Sequence, residues 1–100
     1  MITLSVTLPD FAALAWQALS RHLPDVQRAR MGAYILSTSP APLFEREKAF
    51  LVDLDVPILT PSHIVIGGGR AATTEEAQRA AYDLALAHAR RILAALGGTP

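Results

Sequence analysis

The chain contains no cysteine, which excludes disulfides, thiolate nucleophiles and cysteine-ligated zinc. Lysine is nearly missing as well, with Lys48 the only one, and nine basic residues are balanced by nine acidic ones. A neutral balance removes the electrostatic footprint on which non-specific binding to nucleic acid or anionic membrane depends. No apolar run approaches the roughly 20 residues that span a bilayer, and the N-terminus has neither the basic region nor the long apolar stretch of a secretory signal. The expectation is a cytoplasmic protein with neither a membrane nor a nucleic acid as partner. Histidines at HxxxH or HxH spacing, the GxGxxG and Walker glycine patterns and the nucleophile elbow are all missing too, and each is a spacing that its chemistry requires. No catalytic residue, metal or cofactor is therefore assigned.

What is present is apolar: 51% of the residues are hydrophobic and 18% charged, a balance that allows burial to offset the entropy of ordering the chain. One hundred residues suit a single domain, residues 1–100, with one core. The bias toward alanine and arginine reads as the codon composition of a GC-rich genome.

Hydrophobic periodicity divides the chain into six elements. Ile2 to Leu8 alternates with period two and predicts a half-buried strand. Pro9-Asp10 opens a helix expected to run through His22 or Leu23, with Pro24 forbidding continuation. Wound as a helix, this segment places Phe11, Ala15, Ala18, Leu19 and His22 in one stripe. Arg28 to Thr38 predicts a second strand, ended by the prolines of residues 39–42. Ala49 to Val56 predicts a third, with Phe50, Val52, Leu54 and Val56 on one face and Leu51, Asp53 and Asp55 on the other. A fourth covers Ile64 to Ile66, after a connection bracketed by Pro57 and Pro61. A turn at Gly67-Gly68-Gly69 then leads to a long helix from about Thr74 to Leu96. Thr73 followed by Glu76 forms a capping-box pattern, and Gly97-Gly98 stops the helix. The expected fold is α+β: a two-layer, mainly antiparallel sheet with two helices in the order β-α-β-β-β-α.

Three groups of residues invite a functional reading. Gly67, Gly68, Gly69 and Arg70 precede a helix start and form the candidate anion site, with the simpler use of a glycine turn set beside it. His22, His63 and His88 could converge only through tertiary structure, His22 and His88 by side-by-side packing of the two helices. The last helix carries an apolar arc broader than one sheet face requires. That breadth calls for a second packing partner, the first helix or another copy of the chain. Trp16, Tyr82, Leu86 and Leu93 are the candidate interface residues, and a homo-oligomer is expected.

Residues 30–95, with the motif Gly69-Arg70-Ala71-Ala72-Thr73-Thr74-Glu75-Glu76-Ala77-Gln78-Arg79-Ala80-Ala81, resemble two families that share a β-β-β-α topology: the double-stranded RNA-binding domain and the HicB-like antitoxin. The first resemblance implies a final helix that offers lysines to phosphates, whereas this one offers Thr74, Glu75 and Glu76. The second implies a module that binds a protein toxin and needs no basic face. The expected function is a small protein-binding or regulatory module, antitoxin-like and homo-oligomeric. The alternatives are a small enzyme with its site at a subunit interface and a nucleic-acid-binding accessory domain using Arg28, Arg30, Arg70, Arg90 and Arg91.

Overall fold

A computed structural model describes residues 9–41, 44–56 and 63–97, and only the backbone of 44–46. After a 3-10 turn at Phe11–Ala13 come five strands: β1 (Gln17–Ser20), β2 (Leu23–Met31), β3 (Tyr34–Ala41), β4 (Phe44–Asp55) and β5 (His63–Ala71). They form one antiparallel sheet in which spatial order follows chain order. The single α-helix among the described residues, α1 (Thr74–Ala95), follows and packs on β3, β4 and β5. The architecture is α+β, but it corrects the expected β-α-β-β-β-α order and its two helices. The strand expected at residues 2–8 lies outside the described residues.

The expected first helix is where the reading fails. Asp10 to Leu14 makes one 3-10 turn, Leu14 leaves it in an extended conformation (ψ 132°), and the chain enters β1, which pairs with β2 through Gln17 and Ala18. Its alanines and leucines favour a helix, but Phe11, Leu14 and Trp16 instead pack as partly buried residues against the core. Tertiary packing of these side chains overrides local propensity. The predicted strand over residues 28–38 is two strands, folded at Gly32, whose φ of +60° suits glycine alone. Met31 pairs directly with Tyr34 across this two-residue loop, the glycine-first pattern of a type II′ hairpin.

The predicted last strand is longer than expected. It runs on through Gly67, Gly68 and Gly69 to Ala71, and none of the three has a positive φ. The glycines serve close approach instead of a turn. A Cβ at Gly68 would lie 2.6 Å from the Phe50 carbonyl oxygen, one at Gly69 would lie 2.9 Å from the Phe50 ring, and one at Gly67 would lie 3.0 Å from a Leu84 methyl. The Phe50 ring and Leu84 thus occupy the space that side chains at 69 and 67 would fill, and the β4 backbone crowds Gly68.

The core lies between α1 and one face of the sheet. Met31, Tyr34, Leu36 and Val52 meet Ala81, Tyr82, Ala85 and Ala89, all buried. The alanines of α1 let the helix sit close to the strands. At its start the Thr73 hydroxyl accepts the Glu76 N–H at 3.1 Å, as the capping pattern predicts, and Glu75 and Glu76 occupy the first turn. Gly97, at φ +79°, follows its end. No helix among the described residues is long and apolar enough to cross a membrane.

Candidate functional site

Period-two alternation sends every second side chain of the sheet away from α1. Cross-strand register assigns Arg28, Ser37, Leu51 and Gly68 to one row of that outer face, and Arg30, Ile35, Asp53 and Val65 to the next. Asp55 and His63 pair beyond them, and Ala49 pairs with Arg70 at the other side. Among the described residues no helix covers this face. Leu51 is 40% exposed and Val65 63%.

The charges on the face are unevenly satisfied. Arg30 reaches across β3 to pair with Asp55, and the Asp55 carboxylate also lies 3.7 Å from His63 Nε2. Arg70 lies 3.8 Å from Glu47. Arg28 is exposed and has neither an ion-pair nor a hydrogen-bond partner among the described residues. Asp53 is half-buried, and its Oδ1 is shielded from solvent without a hydrogen bond, a state that costs free energy for a carboxylate. Arg28 and Asp53 therefore lie on opposite sides of β3, one on β2 and the other on β4, each uncompensated. Beside Arg28, a depression of 450 Å³ opens between β1 and β2, lined by Ala15, Leu19, Arg28, Arg30 and Ile35 among others.

The sequence-predicted residues fall in several places. Gly67, Gly68 and Gly69 are interior to β5, so the turn geometry expected at Gly67 to Arg70 is replaced by strand, and Arg70 is held beside Glu47. Tyr82 and Leu93 are buried in the chain's own core, and Trp16 and Leu86 are partly buried against it. The second partner that the broad arc of α1 calls for includes the segment before β1. Tyr82 meets Phe11 edge-on with ring centroids 5.7 Å apart, and its hydroxyl donates to the Pro9 carbonyl at 2.8 Å.

The three histidines do not converge. His22 is exposed, its backbone N–H donating to the Ser20 hydroxyl oxygen at 3.2 Å. His63 starts β5 on the open face. His88 lies on α1, its Nδ1 2.7 Å from the Tyr34 hydroxyl. Among the described residues no three His, Asp or Glu side chains gather as metal ligands would. The Tyr34–His88 pair was not foreseeable from spacing, because 54 residues separate its members. The Arg28–Asp53 relation has a partial sequence signal, the alternation of β4 that already placed Asp53 beside Leu51 on the outer face. Comparison with protein-family models, curated proteins and solved structures returns no match, so any functional reading rests on the chemistry of this face.

Proposed function

We propose that the chain is a small protein-binding or regulatory module of the antitoxin-like kind, acting in the cytoplasm as a homo-oligomer. The observation that carries this reading is the sheet face that no helix among the described residues covers. An antiparallel sheet tolerates water on one side when that side is polar, but this one presents Leu51 and Val65 to solvent, while Ile35 on the same face is buried. Apolar side chains gathered on one sheet face mark a surface that another protein covers. The equal count of acidic and basic residues favours a protein as that cover over a polyanion. Light scattering at micromolar concentration is expected to return a mass of at least two chains, and a monomer would defeat the homo-oligomeric reading.

A further inference from the structure

Resting on that reading, we infer that the occupant of the open sheet face is a second copy of the same chain, docked face to face about a twofold axis that pairs Arg28 of each copy with Asp53 of the other.

In charge, the face is complementary to itself. An isologous interface must match itself, so each charge needs its opposite at the position the axis exchanges with it. Arg28 lies on β2 and Asp53 on β4, two strand spacings apart, about 10 Å across the sheet, and one same-face row apart along it. A twofold axis lying between the two sheets and crossing β3 between Ile35 and Ser37 exchanges these two positions. Leu51, in the row of Arg28 but on the strand of Asp53, then falls close to the axis, where the two copies of Leu51 meet. Arg30 also falls near the axis, and its charge is already compensated within the chain by Asp55.

The same geometry explains why these charges stand alone. Arg28 has no partner among the described residues, and Asp53 has one oxygen shielded without a donor. A guanidinium laid over that carboxylate supplies the missing counter-charge through the oxygen that remains. An acidic partner would suit Arg28 and be repelled by Asp53, and a basic one the reverse. Only a surface carrying both signs in this arrangement satisfies both, and the face itself is such a surface.

The test is a charge exchange in the full chain. Arg28→Asp alone sets Asp against Asp at both crossings, and Asp53→Arg alone sets Arg against Arg. Each single variant is expected to raise the dimer dissociation constant by about tenfold or more. An equimolar mixture of the two restores an opposite pair at both crossings and is expected to return heterodimer in light scattering and native mass spectrometry. Variants that dimerise as wild type does, or a mixture that stays monomeric, overturn the proposal. Should Asp53→Arg fail to fold by circular dichroism, Leu51→Glu at its exposed position takes its place: a monomer supports the interface and an unchanged dimer overturns it. A wild-type dimer indifferent to all these changes sinks this surface but leaves the homo-oligomer standing, whereas a wild-type monomer removes that reading itself.

Discussion

Tyr34 shows how one residue ties the sheet to the helix. Its ring stands edge-on to His88, with centroids 5.6 Å apart, and its hydroxyl lies 2.7 Å from Nδ1. The phenol and the imidazole each carry donor and acceptor capacity, so the ring tautomer sets which of the two donates across this contact. Burial pushes the Tyr34 hydroxyl above its ordinary value of 10.0, and the positive charge of Arg91 pulls it partly back. The folded state thus holds this proton more tightly than the unfolded chain does. The resulting stabilisation is complete below pH 10.0 and is lost as pH rises through the higher folded value. Tyr34→Phe should cost about 1 kcal/mol at neutral pH by leaving Nδ1 without its hydrogen-bond partner, and should flatten the loss of stability above pH 10. Denaturant midpoints measured across the alkaline range check this; equal slopes for the two proteins would show that the hydroxyl is not buried as described.

At the scale of elements, local signals were legible and long-range ones were not. Helix α1 could be read because its cap, its first-turn acids and its glycine stop all lie within the segment itself. Thr73→Ala should lower stability by about 1 kcal/mol through loss of the Glu76 N–H acceptor, and a midpoint equal to wild type would show that the cap contributes nothing. β4 was legible from its alternation, down to which residues face outward. The segment before β1 was not, since its apolar residues fit a helical stripe as well as they fit the irregular path that Phe11, Leu14 and Trp16 actually take. Gly32 hid a hairpin within one β-favouring run. Conversely, three consecutive glycines suggested a turn, although their role is to make room for Phe50 and Leu84. That requirement comes from the neighbouring strand and from α1, so residues 67–69 alone do not express it. The outer-face pair Arg28 and Asp53 was half legible: β4 placed Asp53 correctly, but the missed hairpin misassigned the strand that carries Arg28.

For the molecule as a whole, protection is graded across the sheet. β3 has a strand on each side and α1 above it, and it contributes Tyr34, Ile35, Leu36, Thr38 and Ala41 to the buried set. β1 is four residues long, pairs among the described residues on one side only, and buries none of its side chains fully. Native-state hydrogen exchange should therefore find β3 and the middle of α1 opening only with global unfolding, while β1 opens at a small fraction of that free energy. Equal protection in β1 and β3 would mean that contacts beyond those described hold the edge.

The agreement of spatial order with chain order bears on how the protein is made. During synthesis each strand of this sheet meets its neighbour as soon as it leaves the ribosome, and no strand waits for a distant partner. The helix that covers the apolar face is synthesised after all five strands. Until those 22 residues emerge, a nascent sheet would carry Leu36 and Val52 uncovered, besides the outer face that the finished chain still exposes. Transiently bare sheet surface of this kind is prone to aggregation until α1 covers it.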